Sequence, residues 1–227
     1  MPRQAGSCRL SQTLGIFVSN ELVLERICKE LVAAHKMHTI LLYGSRADGS
    51  ASEDSDYDVA AFGPIKEPFR IARLVNGAYL DVWAYPEDAL LSPTDESLRL
   101  RGSRIIMQRD SEADVLLGKL ESLYRRGPPP LPTYEVAARK VWAHKMLARI
   151  EHADPEGNYR RVWLLQALLE SYFHVRGQWF EGPKKSLRWL QQFDLPAYHA
   201  FCLALRPGAT NQDIASLVQL IAGSPDA

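Results

Sequence analysis

The chain has few cysteines and no surplus of charge of either sign. Its three cysteines, Cys8, Cys28 and Cys202, are far apart and odd in number, so the sequence indicates neither a disulfide framework nor a cysteine metal site. A reducing cytoplasm is the expected location. The 27 basic residues balance the 27 acidic ones, which argues against a dedicated nucleic-acid binder. No long apolar run occurs near the N-terminus, so we expect neither a signal peptide nor a membrane span.

The composition and the proline pattern predict two domains. Hydrophobic residues make up 46% of the 227 residues, which is enough for a substantial core. The proline-rich segment 127–132 is the clearest boundary, because proline blocks helix formation and favours an extended linker. We therefore predict one domain over 1–126, a linker over 127–132 and a second domain over 133–227.

Hydrophobic periodicity gives the expected elements of the first domain. Strands are predicted near 39–43, 57–62, 78–85 and 104–108, and helices near 20–36, 69–75, 94–100 and 111–125. Asn20 and Ser111 are the expected N-caps of the first and last of these helices. Beyond the linker the pattern is helical throughout. The predicted fold class is an α/β (α+β) domain with a mixed sheet, followed by an all-α helical bundle.

A glycine turn and a pair of carboxylates carry the chemistry of the first domain. Gly44 and Ser45 follow a buried apolar strand, and Asp56 and Asp58 open the next one. Residues two apart in a strand face the same side, so the two carboxylates share one space while Tyr57 points away. Like charges this close are costly without a cation, and Mg²⁺ takes one or two carboxylates together with phosphates and water. Glycine allows close approach to a ligand, and the amides that follow, with the Ser45 hydroxyl, can donate to phosphate oxygens.

A third acid fits the same site. Asp81 is the one charge in the predicted strand 78–85, and carboxylates rarely stay buried without a partner. Beside the strand of Asp56 and Asp58, it would complete a three-carboxylate cluster as a metal ligand, a general base or both. Glu87, just past the strand end, is the weaker candidate for the base.

The pattern GSRADG…SDYDVAAF, with a later strand acid, resembles the DNA polymerase β-like nucleotidyltransferase superfamily. The resemblance covers about residues 20–110. The segment YFHVRGQWFEGPKKSL resembles the helical domain of small bacterial nucleotidyltransferases related to the aminoglycoside and lincosamide enzymes. The family implies transfer of a nucleoside monophosphate, AMP from ATP being the expected case, on two Mg²⁺ ions with pyrophosphate leaving. The resemblance implies these roles: nucleotide contacts for Gly44, Ser45 and Arg46, and metal ligation by Asp56, Asp58 and Asp81.

Basic residues outside the motif have two interpretations. Lys184 and Lys185 stand at the start of a predicted helix in the second domain. They could form a basic edge that meets the triphosphate, or a solvated helix face. Arg99, Arg101 and Arg104 are interpreted as surface charges.

The acceptor is the open question. A small hydroxylated molecule such as an aminoglycoside-like antibiotic is the expected acceptor, which would make the chain an antibiotic-resistance enzyme, and the neutral overall charge favours such a molecule over RNA. Two alternatives stay open: adenylylation of a protein hydroxyl, as in toxin–antitoxin pairs, and a non-catalytic binding or antitoxin module. The oligomeric state, monomer or homodimer, also stays open.

Overall fold

The structure, a computed structural model, describes residues 7–152 and 154–224, with side chains from residue 21 onward. The chain forms two compact units, of which the first ends at Arg125 and the second begins at Arg126. The first unit combines helices with a five-stranded sheet, and the described part of the second is helical. The predicted fold class, an α+β domain with a mixed sheet followed by helices, is therefore confirmed.

The regular elements follow in chain order. The first unit contains α1 (Ser7–His35), β1 (Thr39–Tyr43), β2 (Tyr57–Gly63), β3 (Phe69–Val75), β4 (Ala78–Pro86), β5 (Arg104–Met107) and α2 (Glu112–Arg126). Its short 3₁₀ turns are Gly44–Arg46, Glu87–Leu90 and Asp95–Leu100. The second unit contains α3 (Thr133–Arg149), α4 (Pro155–His174), α5 (Pro183–Phe193), α6 (Leu195–Leu205) and α7 (Asn211–Ala222), with a 3₁₀ turn at Ile150–His152.

The sheet presents one apolar face and one face that carries acids. Its strand order is β3-β4-β2-β1-β5, with β2 and β4 parallel and the other neighbours antiparallel. Val59, Leu80 and Val82 point to one face, where they pack in one buried cluster with residues of α1 such as Ile27 and Leu31. Because side chains alternate along a strand, the residues between them, Asp58 and Asp81 included, point to the other face.

The segment 69–75 is a strand, so the predicted helix there is wrong. It pairs antiparallel with β4 across the two-residue connection Asn76-Gly77, whose φ angles are 52° and 85°. An Asn-Gly pair adopts these left-handed angles readily and is a strong hairpin signal between apolar runs. Arg70 therefore lies on a strand of the sheet beside β4 and not on a helix.

The predicted helix ends also need correction. Helix α1 begins at Ser7 and runs through Asn20, so Asn20 is not its cap. Ser111 has a φ of 61° and does not cap α2 in the expected way. The Gln108 side-chain oxygen takes that place, accepting hydrogen bonds from the amides of Ala113 and Asp114 at 3.2 Å and 3.3 Å. The predicted helix 94–100 is a 3₁₀ turn.

The second unit has its own core, built from buried residues of α3, α4, α6 and α7 such as Met146, Leu164, Phe201 and Leu217. Two aspartates cap helices in it: Asp154 opens α4, and Asp194 opens α6. Within the described ranges, no helix has both the length and the apolar character that crossing a membrane requires.

Candidate active site

Asp58 and Asp81 lie side by side on the sheet. They are direct partners in the parallel pairing of β2 with β4, and Tyr43 of β1 is the partner of Asp58 on its other side. Tyr57 and Leu80 precede Asp58 and Asp81 on the two strands. They point to the opposite face and are buried. Three neighbouring strands therefore present a phenol and two carboxylates on one face.

The glycine turn lies directly against this pair. Gly44 has a φ of 71°, and a Cβ added to it would fall 2.3 Å from Oδ2 of Asp58, so only glycine fits without a shift. The first bond of the 3₁₀ turn runs from the Ala47 amide to the Gly44 carbonyl at 3.1 Å. The amides of Ser45 and Arg46 precede that bond and need no partner within the turn. The backbone at the start of the turn thus reaches the edge of the Asp58 carboxylate.

Arg46 binds the loop that carries Asp56. Its Nε donates to the carbonyl oxygens of Ser55 and Asp56 at 2.9 Å and 3.1 Å, and its guanidinium lies 3.9 Å from the centroid of the Tyr57 ring. These contacts fix the approach of the chain to β2. They give Arg46 a positioning role, and its contact with a nucleotide stays a prediction.

Asp81 is held by an arginine that the sequence analysis missed. Nε and Nη2 of Arg70 donate to the two carboxylate oxygens of Asp81 at 2.6 Å and 2.9 Å. This pairing raises the pKa of Arg70, and the same guanidinium lies 5.1 Å from the Trp83 ring centroid. The signal that could have found it is the Asn76-Gly77 hairpin, which places Arg70 opposite Trp83 on β4.

The pKa of Tyr43 reflects its burial and the charges of both signs on this face. Burial raises the pKa of the Tyr43 phenol, Asp58 and Asp81 raise it further, and Arg99 opposes them. The Tyr43 hydroxyl therefore stays protonated and can donate a hydrogen bond at neutral pH.

The residues present fit one divalent cation better than two. Among the residues that the structure describes, no group of three histidine, cysteine, aspartate or glutamate side chains is placed to hold a metal ion. The expected cluster of Asp56, Asp58 and Asp81 is thus not assembled, because Asp81 faces Arg70. Metal ligation by Asp56 and Asp58 stays a prediction, and two carboxylates are the protein contribution that Mg²⁺ takes when phosphates and water complete its shell.

Glu87 is not brought together with the acids. It lies six residues beyond Asp81, about 20 Å along the strand direction. There it accepts from His38 at 3.1 Å and pairs with Arg109 at 3.3 Å. Arg109 first, and then His38, hold the pKa of Glu87 below its usual range. Its neighbours give Glu87 a structural role, and the structure offers no support for Glu87 as the general base.

The two predicted lysines belong to the second unit. Lys184 is exposed in the first turn of α5. Lys185 lies 3.5 Å from Glu181 in an ion pair. Their contact with a triphosphate stays a prediction.

A strip of aromatic rings extends from Asp81 along β4. Trp83 and Tyr85 follow it on the same face, with ring centroids 6.4 Å apart, and Tyr85 stacks on Phe62 at 5.5 Å. Arg99 lies over the Trp83 ring at 5.2 Å and donates to the Tyr85 hydroxyl. Arg99 is therefore part of the site face as well as an exposed charge, which sequence alone did not indicate.

The strip ends in a cavity of about 560 Å³, counted with the solvent at its open mouth. Its lining residues are Phe62, Tyr85, Ala89, Ser92, Thr94, Glu96, Ser97, Arg99, Leu100 and Leu116. One wall is apolar and comes chiefly from the sheet and α2, and the segment 92–99 supplies the polar side chains.

No family model and no curated protein matches the chain. Among solved structures, it is similar to a nucleotidyltransferase-like protein from Exiguobacterium sibiricum, at 13% sequence identity and a TM-score of 0.37. The match covers 88% of this chain and 75% of that chain. A likeness at this level carries no argument about activity, so what the site does has to be inferred from the residues of this chain.

Proposed function

We propose that the chain transfers a nucleotidyl group from a magnesium-bound nucleoside triphosphate, with ATP as the expected donor, to a hydroxyl of a small molecule. The observation that carries the proposal is the pairing of Asp58 with Asp81 on neighbouring strands, with Gly44 packed against Asp58. Two carboxylates and the backbone of the glycine turn are thereby brought to one point of the sheet, which supports a site for a metal-bound triphosphate.

Each residue has a defined part in this reaction. The Ser45 hydroxyl and the amides of the Gly44 turn bind phosphate oxygens. Asp56 and Asp58 hold the cation, and Mg²⁺ when bound neutralises phosphate charge as it shifts toward the leaving group. Asp81, once Arg70 releases one of its carboxylate oxygens, orients the acceptor hydroxyl and takes its proton.

The bond changes follow from this placement. The acceptor oxygen forms a bond to the α-phosphorus, the bond from that phosphorus to the bridging oxygen breaks, and pyrophosphate leaves with the electron pair. Positioning and charge neutralisation supply most of the rate. A second ion would need Asp81 as a ligand, and Asp81 would first have to exchange Arg70 for the metal.

The test is Mg²⁺-dependent release of pyrophosphate from ATP across a panel of hydroxylated acceptors. The double change of Asp56→Asn and Asp58→Asn should lower turnover by at least about a hundredfold, because the metal ligands are lost. Asp88→Asn, at an exposed acid of the turn after β4, is the matched control and should keep full turnover. Turnover that survives the double change would contradict the proposal. Label from ATP on a co-purified protein in place of a small molecule would favour protein adenylylation.

A further inference from the structure

The side of the site that receives the acceptor follows from the order of its parts across the sheet. In an in-line displacement the attacking oxygen enters opposite the leaving group. The phosphate turn lies against Asp58, Asp81 is the next residue across, and Trp83 follows Asp81 along β4. With pyrophosphate at the turn, the acceptor approaches from the side of Trp83, along the aromatic strip that leads to the cavity.

Two opposite charges line this cavity without pairing with one another. Glu96 and Arg99 are three residues apart in the turn Asp95–Leu100, and side chains at this spacing eclipse in a 3₁₀ helix. Both side chains lie in the described part of the chain, and no ion pair joins them. Arg99 is held instead by the Tyr85 hydroxyl and the Trp83 ring. Tyr85 uses only part of the hydrogen-bonding capacity of a guanidinium, which has five N–H donors.

We propose that this cavity is the acceptor subsite and that its ligand is a hydroxylated zwitterion, in which Arg99 binds a carboxylate and Glu96 binds an ammonium group. A flat part of the ligand packs against Tyr85, and its hydroxyl extends past Trp83 toward Asp81. The assignment rests on the proposed function and narrows its acceptor class. An aminoglycoside carries ammonium groups but no carboxylate, so it offers Arg99 no anionic partner.

Binding of three related probes, measured by ligand-observed NMR titration without nucleotide, tests the assignment. L-tyrosine carries both charges, 3-(4-hydroxyphenyl)propionate lacks the ammonium group, and tyramine lacks the carboxylate. We expect L-tyrosine to bind the wild-type chain most tightly of the three. Arg99→Gln should weaken the binding of L-tyrosine and of the propionate about tenfold, since a charge-assisted hydrogen bond is lost, and should leave the binding of tyramine unchanged. Glu96→Gln should weaken the binding of L-tyrosine and of tyramine and leave the binding of the propionate unchanged.

Arg73→Gln is the matched control, because Arg73 pairs with Glu30 of α1 on the other face of the sheet. It should leave all three affinities unchanged. The assignment would be overturned if none of the probes bound, if their affinities did not depend on the two charges, or if tyramine bound most tightly. A change of Trp83→Leu that weakens Mg-ATP binding more than L-tyrosine binding would also overturn it, because the strip would then hold the nucleobase.

The two proposals fail in different ways. A chain that releases pyrophosphate with some acceptor yet binds none of the probes contradicts the acceptor subsite alone. A chain that binds L-tyrosine with the expected charge dependence but never releases pyrophosphate contradicts the nucleotidyl transfer and leaves the zwitterion site standing. Asp58→Asn should abolish turnover while L-tyrosine binding persists.

Discussion

Arg70 donates to both carboxylate oxygens of Asp81, at 2.6 Å and 2.9 Å, from the strand on the outer side of β4. Arg70 neutralises the charge of Asp81, which lies beside Asp58 on the sheet. Removing the guanidinium would leave Asp58 and Asp81 as like charges at partner positions of neighbouring strands, and a divalent cation could then relieve their repulsion. Arg70 and a cation therefore compete for Asp81.

This competition predicts the effect of Arg70→Gln. The Mg²⁺ concentration that gives half of the maximal rise in Tm should fall about tenfold, because Asp81 is released for the metal. The Tm of each variant is followed against Mg²⁺ concentration, since an ion that binds only the folded state raises it. Arg73→Gln should behave like the wild type. An unchanged or higher Mg²⁺ requirement in Arg70→Gln would show that Arg70 does not compete with the metal.

Variants of two glycines allow the effect of backbone strain to be measured apart from the effect of crowding at the site. Gly44 and Gly49 both have left-handed φ angles, 71° and 77°, but a Cβ at Gly49 meets nothing within 4 Å whereas one at Gly44 meets Asp58. Gly49→Ala should cost about 1–2 kcal/mol of unfolding free energy. Gly44→Ala should cost at least about 1 kcal/mol more and should also weaken Mg-ATP binding. Urea unfolding followed by circular dichroism and calorimetric titration measure the two effects, and equal losses in both variants would argue against close packing of the turn on Asp58.

The sequence predicts those features of the site that depend only on residues close together in the chain. The face to which Asp58 and Asp81 point could be predicted because the alternation within a strand depends only on neighbours in sequence. Arg70 could not, since its apolar neighbours fit a helix as well as a strand and its partner is eleven residues away. The Asn76-Gly77 signal would have resolved the ambiguity.

The surroundings of Glu87 and Arg46 have the same physical origin. Glu87, the weaker candidate for the base, follows the acidic strand closely in sequence, but a strand carries its two ends far apart. Arg46 follows Ser45, and the carbonyl oxygens of a later loop accept its hydrogen bonds, while its nucleotide contact stays a prediction. Contacts between distant segments decide these roles, and the sequence pattern does not contain them.

Two helix caps in the second unit give a matched stability test. Asp154 accepts from the Gly157 amide, and Asp194 accepts from the Ala197 amide and also from the hydroxyl of buried Tyr172 at 2.5 Å. Asp154→Ala should cost about 1 kcal/mol for the lost cap. Asp194→Ala should cost about 1–3 kcal/mol more, because the buried phenol loses its acceptor. Urea unfolding followed by tryptophan fluorescence measures both, and equal costs would show that the Tyr172 bond contributes nothing.

The same aspartate predicts a pH dependence. The Tyr172 hydroxyl, and then the Ala197 amide, hold the pKa of Asp194 below its ordinary value of 3.8. Because the folded-state pKa is lower than the unfolded one, this stabilisation is present above about pH 4 and is lost as the pH falls through the folded value. The difference in unfolding free energy between the wild type and Asp194→Ala should therefore be largest near neutral pH and shrink in acid. A difference that grows on acidification would contradict the assignment.

Binding of Mn²⁺, measured by electron paramagnetic resonance in the presence of ATP, tests the central claim most directly, because it reports the cation site without requiring an acceptor. The account predicts that Asp58→Asn weakens Mn²⁺ binding by at least about tenfold relative to the wild type, whereas Asp88→Asn leaves it unchanged. Equal Mn²⁺ affinity in the wild type and Asp58→Asn would contradict the placement of the cation at Asp56 and Asp58.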